Sequence, residues 1–228
     1  MRQECLEYNP ETDSWTEGLR MIGYRAGSAT VELPNGTFWI MDDLYTDFQL
    51  TSEIYQDGQF YPGPDVPFLG HNGVPCATQV TDDLTFFGND RGYFYSAARG
   101  TFEETNDRMP HTSYAAQCGS ATLADGTRVV IVAGGDENAV DTVQIFDLST
   151  EEWTIGAHLP YRVKDGRTVQ LRDTFLIVGG IERFGGVYYD TILEFDPVSL
   201  DWVVRSETLS IPRERQFMID VDVERFCQ

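Results

Sequence analysis

The sequence predicts an all-β fold built from repeated four-stranded sheets, and three observations predict it. An aromatic residue is followed seven positions later by Trp in Tyr8-Asn-Pro-Glu-Thr-Asp-Ser-Trp15, Phe146-Asp-Leu-Ser-Thr-Glu-Glu-Trp153 and Phe195-Asp-Pro-Val-Ser-Leu-Asp-Trp202. Short β-branched runs close on paired glycines in Val129-Val-Ile-Val-Ala-Gly-Gly135 and Thr174-Phe-Leu-Ile-Val-Gly-Gly180. Tight-turn pairs, Asn35-Gly36, Asp82-Asp83, Asp125-Gly126 and Arg172-Asp173, precede runs of this kind, as hairpin connections require.

Taken in chain order, each repeat reads as strands a to d. Strand a is carried by Gly27-Ser-Ala-Thr-Val31, Cys76-Ala-Thr-Gln-Val80, Gly119-Ser-Ala-Thr-Leu123 and Gly166-Arg-Thr-Val-Gln170. Strand b is the run that ends in two glycines. Thr37-Phe-Trp-Ile-Met-Asp-Asp43 and Leu84-Thr-Phe-Phe-Gly-Asn-Asp90 hold that place with the glycines partly lost. Strands c and d flank the polar turn between the spaced aromatics. Tyr95 and Phe102 keep the spacing with Phe in the Trp slot, and Tyr55 to Phe60 is a shortened copy. Residues 24–66, 68–108, 112–157 and 161–205 are complete units. Residues 4–17 supply only c and d, and 213–228 supply a, as Gln216-Phe-Met-Ile-Asp-Val221, with part of b.

These motifs resemble the kelch repeat, whose hallmarks are a di-glycine after the second strand, then an aromatic and a spaced Trp. The resemblance covers nearly the whole chain. It implies a kelch-type β-propeller forming a single domain over residues 1–228. Its four complete four-stranded blades are joined by one blade split between the termini, which makes five; the other possibility is a fragment of a six- or seven-bladed ring. The physics agrees, because one blade exposes both faces of its sheet and stacking blades buries them. Arg25, Arg162 and Arg213 stand where kelch blades often begin with Arg, and are expected to pair with carboxylates there.

Composition narrows the function. Acids outnumber bases 37 to 16, for a formal net charge of −21, which disfavours unassisted binding to nucleic acid phosphates or anionic membranes. No apolar run approaches the roughly 20 residues of a membrane-spanning helix. The N-terminal Met1-Arg-Gln-Glu-Cys-Leu-Glu-Tyr8 lacks the apolar stretch of a signal peptide. Four cysteines, Cys5, Cys76, Cys118 and Cys227, are disulfide candidates in an oxidising compartment. Cysteines at the start of strand a in consecutive blades resemble those of secreted invertebrate kelch-like proteins. The expectation is therefore extracellular, with a cytoplasmic location as the alternative. Joining the terminal half-blades would bring Cys5 and Cys227 onto neighbouring strands, where a bond between them is expected.

In an antiparallel blade the b–c and d–a connections emerge on one face. The kelch resemblance implies that partners dock there. The b–c loops carry Asp42, Asp43, Asp90, Asp136, Glu137 and Glu182, with Tyr45, Tyr188 and Tyr189 beside them. They form a candidate site for a cationic or polar partner: a basic peptide or protein, or a glycan. Acids also crowd the a–b and c–d side at Glu11, Asp13, Glu151, Glu152, Asp196 and Asp201, so charge alone does not single out the first face. His71, His111 and His158 all fall in d–a connections, but not at equivalent positions. No calcium-loop spacing is present, and no metal or other cofactor is expected. Galactose oxidase, which this fold class resembles, holds copper with two His and two Tyr, and that set cannot be placed in this sequence. The reading is a monomeric, non-catalytic binding module. The alternative is a propeller enzyme of the galactose-oxidase-like or sugar-epimerase-like type.

Overall fold

The structure is a computed structural model that describes residues 2–25, 28–33, 36–41, 52–67, 76–88, 91–112, 114–136, 139–183 and 185–214. They form two compact units, the first within residues 1–71 and the second within residues 72–219. In the first, β1 (Arg2–Asn9) and β2 (Ser14–Arg25) form a hairpin, and β3 (Ala29–Glu32), β4 (Phe38–Met41), β5 (Ser52–Gln56) and β6 (Gln59–Pro62) form a four-stranded sheet. The second holds three four-stranded sheets. Their strands are β7 (Cys76–Gln79), β8 (Leu84–Gly88), β9 (Gly92–Ser96) and β10 (Thr101–Glu104); β11 (Gln117–Thr122), β12 (Arg128–Ala133), β13 (Val143–Asp147) and β14 (Glu152–Ile155); and β15 (Arg167–Gln170), β16 (Phe175–Val178), β17 (Thr191–Asp196) and β18 (Asp201–Thr208). Every pairing is antiparallel, between strands consecutive in sequence. Four complete four-stranded sheets therefore stand where the sequence puts them.

The spaced aromatics are direct cross-strand partners. Tyr8 faces Trp15, Tyr55 faces Phe60, Tyr95 faces Phe102, Phe146 faces Trp153 and Phe195 faces Trp202. Their ring centroids lie 4.9 to 5.5 Å apart. A polar turn at the c–d hairpin sets the register, and the register sets the pair.

One part of the sequence reading is corrected. The first hairpin extends well past residue 17: β2 stays paired with β1 as far as Arg2 opposite Arg25, so Tyr24 and Arg25 end that hairpin and do not open the next blade. The reason is tertiary. Buried Glu53 of β5 accepts the Ile22 and Gly23 amides at 2.6 and 2.8 Å, fixing the far end of β2. Of the C-terminal half of the expected split blade, residues 213–228, all but Arg213 and Glu214 lie outside the described residues.

In the second unit β11 runs beside β7 on one side and β15 on the other. Between the first two sheets, Phe146 and Trp153 pack on Phe94 and Phe86 at 5.4 and 6.0 Å between centroids. Between the second and third, Phe175 lies over Gly119, where an added Cβ would stand 2.2 Å from the ring, so only glycine admits it. Trp202 meets Phe175 edge-on at 5.7 Å. Trp153 Nε1 donates to Thr105 Oγ1 at 3.4 Å. Trp202 Nε1 has no acceptor among the described residues, because Gly156 holds the position that Thr105 holds one repeat earlier. The Thr105 and Gly156 amides make the same bond, to the Gly92 and Val143 carbonyls, each at 2.9 Å. Cys76 and Cys118, 42 positions apart in sequence, form a disulfide between β7 and β11, with Cα atoms 5.6 Å apart. Closing a loop of that length is worth about 4 kcal/mol in the chain-entropy model. Cys5 is half-buried and has no disulfide partner among the described residues. Cys227 lies outside the described residues, and with it the expected bond to Cys5.

The c–d turns share one chemistry. Asn9, Asp147 and Asp196 each accept the amide two residues on, at 2.7 to 2.9 Å. Asp13, Glu151 and Leu200 then adopt left-handed backbone, with φ of 47, 59 and 58°. Asp147 also accepts the Ser149 hydroxyl at 2.6 Å. That bond, with the Ser149 and Thr150 amides behind it, holds its carboxyl below the usual carboxylate range.

Two outcomes follow. Trp153→Ala should destabilise the protein by about 3–5 kcal/mol in urea unfolding, since it empties a site between two sheets. A loss under about 1 kcal/mol would contradict the interface. For Asp147 the folded pKa is depressed. Its contribution is therefore complete above the unfolded value near 3.9 and is lost as pH falls through the folded value below it. Asp147→Asn should be less stable than the parent at pH 6, with the difference in melting temperature closing as pH drops below about 4. A gap that is constant with pH would assign the loss to shape and not to charge.

Candidate binding face

Four connections of the second unit form one face: residues 105–116 and 156–166 lead into strands a, and residues 134–142 and 179–190 join b to c. The paired glycines build it. Gly134 and Gly135 have φ of 67 and 93°, and a Cβ on Gly135 would lie 2.6 Å from the Tyr114 carbonyl. Left-handed backbone and close approach together require glycine. The turn lets Gly135 N donate to Val163 O at 2.8 Å, and Gly180 N repeats the bond to Arg213 O at the same distance. By this pattern Arg213 is equivalent to Val163, one residue away from Arg162, with which its sequence motif aligns it. Asp136 N donates to Tyr114 O, Asp165 N to Ala115 O, and Lys164 exchanges two backbone bonds with Ile181. Loops of successive sheets are thus tied to one another by backbone, leaving their side chains available.

The sequence-predicted residues are placed as follows. Glu182, Tyr188 and Tyr189 share the 179–190 loop; Asp136 lies on the 134–142 loop of the preceding sheet. Tyr188 is exposed, and Glu182, Tyr189 and Asp136 are half-buried. Asp42, Asp43, Tyr45, Asp90 and Glu137 lie outside the described residues. Burial, then the Glu182 charge, raises the Tyr189 phenol above its ordinary value.

Three features were missed in the sequence. Tyr161, from the 156–166 loop, stacks on Tyr189 with centroids 4.3 Å apart and planes 30° apart. Its hydroxyl is hydrogen-bonded to Thr191 Oγ1, and burial raises its pKa. Lys164, the chain's only lysine, is buried beside buried Asp165. Gln117 is buried at the start of β11: its Nε2 donates to Ala115 O at 2.9 Å, while its Oε1 accepts no hydrogen bond among the described residues. The Pro-Tyr step before Arg162 was the available signal for the first; nothing in the pattern marks the other two. His158 Nδ1 stands 3.5 Å from Asp141 Oδ1 on the same face. Arg162 is exposed and has no carboxylate partner among the described residues, and Arg213 Nε donates instead to the Ile211 carbonyl. The expected ion pairs of Arg162 and Arg213 are therefore not found among the described residues, where backbone bonds tie these connections; the Arg25 side chain lies outside what is described.

Chemically the face offers a stacked aromatic ledge with acids around it. Among the described residues no group of three His, Cys, Asp or Glu is arranged to hold a metal ion.

Comparison with known proteins agrees with this geometry. Residues 118–160 match the Kelch motif, which takes in β11 to β14 and the connection after them. The chain is also 31% identical over 84 residues to Kelch-like protein 15 of Danio rerio, an alignment covering 37% of this chain and 14% of that protein. The sheet of β11–β14 matches the Kelch motif, and each of the other three four-stranded sheets repeats its consecutive antiparallel order.

Burial of Lys164 has a direct consequence. An amine-acylating reagent should modify the native protein at its α-amine and spare Lys164, which should become reactive only in denaturant. Equal labelling of both amines in the folded state would contradict its position.

Proposed function

We propose that this chain is a non-catalytic protein-binding module whose b–c and d–a loops take a basic peptide or protein segment. The observation that carries the reading is the Tyr161–Tyr189 stack beside Glu182 on a face pinned by backbone bonds. Rigid aromatics give contact area at low entropic cost, and the acids supply the sign of charge that a cationic partner meets. A net charge of −21 steers such a partner from a distance. A glycan is the second reading, favoured by the exposed ring of Tyr188. The Cys76–Cys118 bond supports an oxidising, extracellular setting, since cytosolic thiols are kept reduced.

Arrays of basic and acidic peptides, and of glycans, identify the class of ligand. Against a captured basic peptide, Asp136→Asn with Glu182→Gln should weaken binding about tenfold, or 1.4 kcal/mol. Glu11→Gln with Glu152→Gln should change it less than about twofold, and added salt should weaken the parent. Equal losses from the two pairs would mean a diffuse charge effect and no site on this face.

A further inference from the structure

A cleft of about 460 Å³ opens between the first two sheets of the second unit, where the end of β10 and residues 105–106 approach the c–d turn after β13. Its floor is apolar: Leu84, Phe94, Phe146 and Leu148. Phe146 is buried; the other three are half-buried and so retain water contact. Its rim holds Glu103, Glu104 and Glu151 with a single cation, Arg99. That cation is engaged, because Arg99 grips Glu103 through both guanidinium nitrogens at 2.6 and 3.1 Å. Arg91 satisfies Glu104 through one guanidinium nitrogen, which donates to both carboxylate oxygens at 2.8 and 3.1 Å. Glu151 has a bond from the neutral Asn106 amide and no cationic partner among the described residues.

The repeat does not demand this acid. Glu151 and Leu200 are equivalent: each adopts left-handed backbone and each donates its amide to the carbonyl four residues back, Asp147 and Asp196, at 2.9 Å. At the corresponding place between the second and third sheets the position is therefore apolar. A carboxylate without a countercharge at the lip of a water-exposed apolar hollow is complementary to one kind of occupant, an apolar side chain with a cation next to it.

We propose that this cleft is a second peptide-binding site, which takes a Leu- or Phe-sized side chain on its floor and pairs an adjacent Arg or Lys with Glu151. The volume accommodates two or three side chains, within the usual range of ligand sites. The proposal does not rest on the loop face, and either can stand without the other.

The test is a titration of the full chain with acetyl-Arg-Leu-Arg-amide, followed by the methyl resonances of Leu84 and Leu148. Acetyl-Arg-Ser-Arg-amide and acetyl-Glu-Leu-Glu-amide serve as comparison probes. Saturable shifts at these methyls are expected with the first peptide, with affinity at least fivefold above either comparison. Glu151→Gln should lower it at least fivefold, and Glu182→Gln should leave it unchanged. Leu148→Ala should weaken binding with the charge intact; because that change could disturb packing, its melting curve is measured alongside. No saturation at the cleft methyls, equal binding of the Ser peptide, or an equal loss from Glu182→Gln would each overturn the site. The last result would assign basic peptides to the loop face alone.

Discussion

Each c–d hairpin of this protein places one aromatic ring against another across the strands, and in the second unit these pairs become the packing between sheets. Phe146 and Trp153 lie 5.1 Å apart within their own sheet and reach Phe94 and Phe86 of the preceding one. A short blade has little core of its own, so its stability depends on rings wide enough to span the gap to its neighbour. The arrangement tolerates variation only where another small residue compensates. Phe175 enters because Gly119 has no side chain, and the buried Trp202 indole N–H finds no acceptor among the described residues because Gly156 stands where Thr105 stands one repeat earlier. The disulfide from Cys76 to Cys118 fastens the inner strands of the same two sheets at the opposite end of the strand order from the aromatic pairs.

Rigid sheets free the connections for recognition. The loop face keeps its shape through main-chain bonds, such as Gly135 to Val163 and Gly180 to Arg213, which no substitution outside glycine or proline removes directly. Side chains there can therefore change without loss of the scaffold. The c–d ends are the reverse. Their side chains are structural, with Asn9, Asp147 and Asp196 capping turns, and only a residue beyond those needs, such as Glu151, is left over for a ligand.

Most of the fold was legible because its determinants are local. A spaced aromatic pair and its turn lie within eight residues, and the antiparallel register converts that spacing into contact. The extent of β2 was not legible, because it depends on Glu53, some 30 residues away. Repeat alignment also misjudged the arginines: the motif matches Arg162 to Arg213, while the bonding matches Val163 to Arg213. Of the candidate site, the loops and Glu182, Tyr188 and Tyr189 were found from topology. Tyr161 was not, since its value comes from stacking across two connections.

The acids illustrate why composition locates so little. With 37 of them against 16 bases, nearly every surface reads as a cation site, and counting cannot rank one above another. Their hydrogen bonds can. Asp147 and Asp196 are held below the ordinary carboxylate range by amides and hydroxyls of their own turns, and Asp83 by the Ala98 amide and Ser96 hydroxyl of the c–d turn of its sheet, so their charge is already committed to structure. Glu103, Glu104 and Glu194 are committed to arginines at 2.5 to 2.8 Å. A partner that approached any of these would have to displace an interaction already made. What remains are carboxylates that, among the described residues, neither cap a turn nor meet a cation, and Glu182 by the tyrosine ledge and Glu151 by the apolar cleft are two such groups. Recognition is then set by what stands next to the charge, stacked rings in one case and a hydrophobic floor in the other, and no longer by the charge itself.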